Sequence, residues 1–218
     1  MAQQNWNDCF DHVLGSEGGF QNDPKDKGNW TGCAVGAGKN NGTNWGISAC
    51  AYPQLNIRGL TQAQARDIYY KDYWNPVQGD RLPWGVDLCT FDSGVNSGIS
   101  RGAKWLQRAV GVPADGRIGD QTIAAAVGMD PHVIIDRMCD DRLAYLQSLP
   151  TWPIYGGGWT TLVKKVRDSA HDMAEDHRGD PLIPTPAPVP VPDVEAIEIV
   201  VRKPRGSKVQ IVLREEET

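Results

Sequence analysis

The sequence predicts a mainly α (α+β) fold, because apolar residues recur at helical spacing over most of its length. The first such stripe consists of Trp6, Phe10, Val13 and Leu14. Residues 21–59 interrupt the pattern, since they are rich in Gly, Asn and Asp and contain few aliphatic side chains. We therefore expect a helical body with a small loop and β region near residues 20–50, including a hairpin around Trp45–Ser48.

Capping residues and glycine mark the expected helix boundaries. Gly15 follows the first stripe, so the first helix is expected to end there. Thr61 and Gln64 fit a capping box that opens the next helix. Asp130 and Pro131 are typical of an N-cap followed by proline at the first helical position. Further helices are expected at residues 86–97, 100–110, 118–127 and 159–177.

The composition changes sharply at Gly179, where a proline-rich run begins. Alternating prolines favour an extended, semi-rigid spacer, so residues 179–193 are predicted to be a linker. Residues 194–218 contain two β-branched segments separated by a glycine-containing turn, which is typical of a β-hairpin. Because an isolated hairpin is marginally stable in water, we expect it to dock on the body, to self-associate by strand pairing, or to stay partly ordered.

Charge and hydropathy exclude some classes of partner. The net charge of −5 argues against nucleic acid, which favours a basic surface. Mean hydropathy is −0.44, and no stretch approaches the roughly 18 apolar residues of a membrane span, so no membrane insertion is expected. The start of the chain lacks the pattern of a secretory signal, so we expect synthesis in the cytoplasm.

The cysteines are odd in number and scattered, with no CxxC motif. They are Cys9, Cys33, Cys50, Cys89 and Cys139. Free buried thiols in a reducing compartment are therefore favoured over a disulfide framework. No set of His, Cys, Asp and Glu has the spacing of metal ligands, so neither a metal site nor a cofactor is predicted.

Glu17 is the candidate for a general acid. It lies between Ser16 and a pair of glycines that let a substrate approach the backbone, and Phe20 can lower the local polarity. Such surroundings raise the pKa of a carboxyl group and keep its proton available. The alternative is a solvated glutamate at a helix end, which local features alone favour.

A wider set of motifs favours the first interpretation. Residues 17–24 read EGGFQNDP, residues 26–28 read DKG, and residues 43–48 read TNWGIS. Further blocks follow in order at residues 60–61, 65, 68–69, 72–74, 80–83 and 91–98. Together they resemble glycoside hydrolase family 108, lysozyme-like N-acetylmuramidases found as phage endolysins and as secretion-associated muramidases.

The resemblance continues into a predicted peptidoglycan-binding segment. Its matching stretches are residues 105–111 (WLQRAVG), residues 115–119 (DGRIG) and Thr122. The whole match covers about residues 6–175. It implies a lysozyme-like catalytic region at residues 1–98 and a helical peptidoglycan-binding region packed on it at residues 99–178.

The resemblance also implies catalytic roles. Glu17 would be the catalytic acid, and Asp26 stands at the spacing that tailed-phage lysozymes use for their Asp, with Thr43 as the matching threonine. An insert of about residues 29–42 separates Asp26 from Thr43, so Asp23 is an alternative to Asp26. We favour an inverting mechanism, in which a carboxylate activates the attacking water.

The candidate substrate-binding residues are Phe20, Trp45, Tyr73, Asp92 and Asn96. Aromatic faces suit the apolar faces of sugars, although the tyrosine also fits a core position. The last two residues lie four apart on a predicted helix and share a face, where they bind acetamido or hydroxyl groups or form a buried polar pair.

The expected function is hydrolysis of the β-1,4 bond between N-acetylmuramic acid and N-acetylglucosamine in bacterial peptidoglycan. Release through a holin lesion or a secretion system would bring the enzyme to the wall. The alternatives are a lytic transglycosylase, a wall peptidase with a Cys–His pair, and a non-catalytic peptidoglycan-binding or structural part of a phage or secretion machine.

Overall fold

The computed structural model describes residues 2–15 and 19–178, which belong to one compact unit. Glu17, the linker at residues 179–193 and the hairpin at residues 194–218 lie outside the described residues, so the expectations for them stay predictions. Within the described part, seven α-helices carry most of the fold. They are α1 (Ala2–Leu14), α2 (Gln62–Tyr69), α3 (Val86–Ser97), α4 (Ile99–Ala109), α5 (Asp120–Val127), α6 (Pro131–Gln147) and α7 (Trp152–Asp176).

A small antiparallel sheet and several short helical turns complete the described elements. Strand β1 (Thr43–Asn44) pairs with β2 (Ile47–Ser48), with Thr43 opposite Ser48 and Asn44 opposite Ile47. Three 3-10 helices cover Lys27–Asn29, Ile57–Gly59 and Gly79–Arg81, and a π-helical turn covers Tyr70–Trp74. The predicted mainly α fold with a small β region is thus confirmed.

Capping chemistry predicted several helix ends correctly. Thr61 and Gln64 form the capping box of α2, and the Asp130 carboxylate accepts from the His132 backbone N–H at the start of α6. One expected boundary was wrong, because α7 begins at Trp152 instead of residue 159. The helix includes the glycines at residues 156–158, and Gly156 is buried under the Trp152 ring, where a Cβ would come within 2.6 Å.

Helix α3 forms the centre of the body. It contacts α1, α4, α6 and α7, and its residues from Val86 to Gly94 are all buried. On the α1 side, the Trp6 ring lies 5.5 Å from Phe91 and 5.4 Å from Trp74 between ring centroids. Burial of such large aromatic surfaces supplies much of the driving force for folding.

The expectation that all cysteines are free was wrong for one pair. Cys33 and Cys50 form a disulfide, whereas Cys9, Cys89 and Cys139 are free and buried. The residues between positions 31 and 39 fold back on themselves, with the Thr31 N–H donating to the Lys39 carbonyl at 2.9 Å. The Cys50 N–H donates to the Gly28 carbonyl at 3.0 Å, which places Cys50 beside this segment, and sequence spacing does not show that approach.

A buried ion pair joins α3 to α6. Arg142 Nη1 lies 2.5 Å from Asp92 Oδ1, and the two side chains are only 3% and 4% exposed. We predict that Arg142→Met lowers the free energy of unfolding by about 3–5 kcal/mol, because it leaves a buried carboxylate without its partner. Urea unfolding measures this loss.

Arg108→Met is the matched control. It breaks the Arg108–Asp141 pair, whose side chains are 47% and 41% exposed, so the loss should stay within about 1 kcal/mol. Equal losses in the two variants would contradict the importance of the buried pair.

A second buried carboxylate makes stability depend on pH. Asp87 is fully buried, accepts hydrogen bonds from Asn5 Nδ2 at 2.9 Å and from the Leu88 N–H at 2.7 Å, and burial raises its pKa from 3.8 to about 7. Between these two values the folded protein keeps a proton that the unfolded chain releases. The stabilisation is therefore complete below pH 3.8 and is lost as the pH rises towards about 7.

We predict that Asp87→Asn removes this component of the pH dependence. Thermal unfolding of both proteins between pH 4 and pH 8 tests it, with the variant gaining relative to the wild type as the pH rises. A difference in melting temperature that stays constant across this range would show that Asp87 does not titrate as described.

Candidate active site

The loop region is closed by pairing of its two ends. Gln21 and Thr43 lie opposite each other and exchange two backbone hydrogen bonds, both of 2.8 Å. Gln21 thus pairs with β1 on the edge that faces away from β2. It brings the chain that follows α1 beside the strand that carries the predicted catalytic threonine.

Asp26 begins the 3-10 helix Lys27–Asn29 and is fixed at both carboxylate oxygens. Its Oδ1 accepts from the Gly28 N–H at 2.8 Å, and its Oδ2 accepts from Gln21 Nε2 at 3.2 Å. The residue is exposed, so water can still reach the carboxylate. An exposed yet oriented carboxylate fits the requirement for a group that activates water.

Asp23, the alternative carboxylate, has different contacts. Its Oδ1 accepts from the Lys25 N–H at 2.9 Å and closes a local turn. Among the described contacts of this side chain, none leads to Thr43. The hydrogen bonds therefore favour Asp26 over Asp23 as the second catalytic group.

Thr43 is connected to Asp26 through two side-chain amides. The Thr43 hydroxyl donates to Asn29 Oδ1 at 2.7 Å. The amides of Asn29 and Gln21 then exchange two hydrogen bonds, of 2.8 and 3.1 Å. Because Gln21 also donates to Asp26, a continuous chain of hydrogen bonds joins Thr43 to Asp26.

Asn29 and Gln21 belong to the candidate site but were not predicted from the sequence. Asn29 was counted as the first residue of an insert, yet it is completely buried and central to the network. The backbone carbonyl of Asn29 accepts from the backbone N–H groups of Asn41 and Gly42 at 3.0 and 3.1 Å. The insert therefore leaves and rejoins the site at the same point, which explains how Asp26 and Thr43 stay connected.

The predicted aromatic residues are half-buried and lie in different surroundings. The Phe20 ring faces the Arg58 guanidinium at 4.0 Å and lines a cavity of about 240 Å³ that is also bordered by Asn56. Trp45 donates its indole N–H to the Leu60 carbonyl at 3.0 Å. The Tyr73 ring packs on Tyr69 with centroids 5.4 Å apart. Sugar contacts for these three residues stay predictions.

Asp92 and Asn96 are hydrogen-bonded to each other, as in the polar-pair alternative that the sequence left open, but only Asp92 is buried and Asn96 is exposed. Asn96 Nδ2 donates to the Asp92 carbonyl at 3.0 Å and to its Oδ2 at 3.2 Å. The other carboxylate oxygen of Asp92 faces Arg142. All these contacts connect protein groups to one another, and a role in sugar binding stays a prediction.

A larger cavity lies between α1 and α2. Its volume is about 750 Å³, and Asp26, Thr43 and Asn29 do not line it. Its lining residues are Trp6, Asn7, Asp11, Arg66, Asp67, Tyr70 and Asp80. The candidate site therefore does not coincide with the larger of these two cavities.

The described residues hold no cluster of three or more His, Cys, Asp or Glu side chains that could bind a metal ion. No helix in the same part of the chain is long and apolar enough to cross a membrane. The candidate site consists of carboxylates, a hydroxyl and amides, a set of groups suited to proton transfer and to holding water.

Comparison with known proteins identifies the family. A family model described as "Glycosyl hydrolase 108" matches residues 10–98, and one described as "Predicted Peptidoglycan domain" matches residues 101–161. A solved structure, that of Brucella abortus SagA, matches with 38% sequence identity and a TM-score of 0.68. The match covers 80% of this chain and 98% of that chain. The chain belongs to glycosyl hydrolase family 108.

The two matches together identify a peptidoglycan-acting, lysozyme-like protein. The family 108 match ends at Gly98, which is also the residue between α3 and α4. The peptidoglycan-domain match extends from α4 into the first part of α7. No curated protein matches the chain.

Proposed function

We propose that this protein is an N-acetylmuramidase that hydrolyses the β-1,4 bond between N-acetylmuramic acid and N-acetylglucosamine. Membership in family 108 supports the glycosidase activity, and the peptidoglycan-domain match supports the substrate. The observation that carries the hydrolytic mechanism is the hydrogen-bonded chain from Asp26 to Thr43. It provides a carboxylate and a hydroxyl in one connected frame.

In the proposed mechanism Glu17 is the general acid and donates its proton to the leaving glycosidic oxygen. A water molecule held by Asp26 and Thr43 attacks the anomeric carbon from the opposite face as the glycosidic bond breaks. Asp26 accepts a proton from that water, and the resulting hydroxyl stays on the sugar. This sequence of events is an inverting hydrolysis.

The contacts favour hydrolysis over the alternative reactions. A lytic transglycosylase uses a hydroxyl of the muramic acid itself as the nucleophile, and an oriented pair for water would serve no purpose there. A thiol peptidase needs a reactive cysteine, but each of the five cysteines is either buried or bonded in the disulfide. A purely structural wall-binding role does not explain the hydrogen bonds that connect Asp26 to Thr43.

The disulfide indicates the compartment in which the protein acts. Disulfides persist in oxidising compartments and are rare in the reducing cytoplasm. The Cys33–Cys50 bond therefore supports action outside the cytoplasm, next to the wall. Holin-dependent release and self-association through the C-terminal hairpin stay predictions.

We predict that Glu17→Gln lowers wall lysis by about 10²-fold or more, because the amide cannot supply the proton to the leaving oxygen. Analysis of digested sacculi should show new muramic acid reducing ends for the wild type and almost none for the variant. The matched control is Glu175→Gln at an exposed position of α7, which should keep native activity.

Three outcomes would contradict this assignment. If Glu17→Gln lysed walls at the native rate, Glu17 could not be the general acid. Anhydro-muramic ends from the wild type would indicate a transglycosylase, and new amino termini would indicate a peptidase.

We predict that Asp26→Asn lowers kcat by about 10²-fold or more, whereas Asp23→Asn changes it by less than about threefold. The two variants make the same chemical change three residues apart, but only the first removes the carboxylate connected to Thr43. Initial rates on purified sacculi measure both. The reverse ranking would make Asp23 the second catalytic group.

A further inference from the structure

The two amides between Asp26 and Thr43 use all of their hydrogen-bonding capacity. Asn29 Nδ2 donates to Gln21 Oε1 and to the Asp23 carbonyl at 2.8 and 3.0 Å, while Asn29 Oδ1 accepts from Gln21 Nε2 and Thr43. Gln21 Nε2 also donates to Asp26 Oδ2, and Gln21 Oε1 also accepts from the Asp23 N–H at 3.1 Å. A primary amide offers two donors and two acceptor positions, so both amides are saturated.

The ends of this chain fix which way each amide points. A carboxylate oxygen of Asp26 and the Asp23 carbonyl oxygen both accept, so each must face an NH₂ group. The Asp23 N–H can only donate, so it must face the Gln21 oxygen. If either amide were rotated by half a turn, two donors or two acceptors would meet in a partly buried place.

This fixed orientation determines the state of the Thr43 hydroxyl. The atom of Asn29 that faces Thr43 is an oxygen with no hydrogen, so the hydroxyl must give its single proton to Asn29. Towards any other partner, Thr43 Oγ1 acts as an acceptor. A water bound there is therefore oriented with one hydrogen towards Thr43, which leaves its other hydrogen for a base and a lone pair for attack.

The same network holds the carboxylate. Gln21 donates to Asp26 Oδ2, and the Gly28 N–H donates to Oδ1, so rotation of the carboxylate breaks a hydrogen bond on either side. Asn29 contacts neither the solvent nor the carboxylate directly, since it is completely buried and acts through Gln21. The two ends of the insert at residues 29–42 meet at Asn29, so the fold of the insert also affects the orientation of Asp26 and Thr43.

From these contacts we propose that Asn29 is a positioning residue of the hydrolytic site. It forces Thr43 to accept from the attacking water, and through Gln21 it holds Asp26 for proton removal. This inference rests on the proposed hydrolytic function and assigns a role to a residue that never touches the substrate. Loss of its amide should lower kcat with little change in KM, because the network orients the water and binds no sugar.

A double-mutant cycle between Asn29 and Thr43 tests the proposal. Asn29→Leu keeps the approximate shape but removes the acceptor, and it should lower kcat about tenfold or more in the wild-type background. In a Thr43→Val background, where no hydroxyl remains to be oriented, the same change should lower kcat by a clearly smaller factor, because only the connection through Gln21 to Asp26 is then left to lose. KM should change by less than about twofold throughout.

Asn40→Ala is the control within the same loop. Asn40 Nδ2 donates to the Asn22 carbonyl at 3.0 Å and does not join the network, so kcat should stay within about twofold of the wild type. A merely structural role for Asn29 predicts the opposite pattern. Asn29→Leu would then lower kcat by the same factor with and without the Thr43 hydroxyl, and this result would overturn the proposal.

A second cycle applies if Asn29→Leu does not fold. Gln21 is exposed, so Gln21→Met should be tolerated, and it breaks the connection between Asn29 and Asp26. It should lower kcat about tenfold alone and less than about twofold on Asp26→Asn. Equal losses in both backgrounds would overturn the proposal.

The cycles also separate the two claims. If Thr43→Val and Asp26→Asn both keep native kcat, the proposed water-activating mechanism fails and the positioning role fails with it. If both lose activity while the Asn29 and Gln21 effects are independent of them, hydrolysis stands and only the positioning role is wrong.

Discussion

The hydrogen bonds of the Asn29 amide connect the two stretches of chain that carry Asp26 and Thr43. They are made in a completely buried position, where an unpaired polar atom costs more free energy than it would at the surface. The fold must therefore satisfy all four hydrogen-bonding positions of that amide together. Because the partners come from Gln21, Asp23 and Thr43, satisfying them also sets the geometry of the candidate site.

The helical body supplies a firm support for this loop region. Helix α3 is buried along most of its length, and its ion pair with α6 and its contacts with α4 join the parts of the chain matched by the two family models. The loops have few aliphatic side chains, so their order depends on directional bonds. The Cys33–Cys50 disulfide and the paired backbone of Gln21 and Thr43 are the main ones.

Local signals predicted much of the helical fold. The capping box at Thr61, the N-cap at Asp130 and the apolar stripes depend on residues close in sequence, and the structure has helices there. The predicted start of α7 was wrong. Gly156 lies inside this helix because it packs against the Trp152 ring, a contact that the helix propensity of glycine does not include. The disulfide was missed for a similar reason, since it depends on the approach of Cys50 to the segment that carries Cys33.

The candidate site divides in the same way. Asp26 and Thr43 were found through resemblance to a family pattern, in which residue types recur at set spacings. Asn29 and Gln21 were not, because an amide has no distinctive sequence signal and acquires its role from four partners at once. The cue that was available was the position of Asn29 at the edge of the insert, directly after the Asp26 motif.

The central claim is that a water held by Asp26 and Thr43 attacks the anomeric carbon from the face opposite the leaving group. Proton NMR of the first sugar ends released from a soluble glycan fragment tests it most directly, before mutarotation mixes the anomers. The account predicts that the α-anomer appears first, since inversion at a β-linked carbon gives the α configuration. Initial appearance of the β-anomer would show retention and would contradict the proposed role of the Asp26–Thr43 pair.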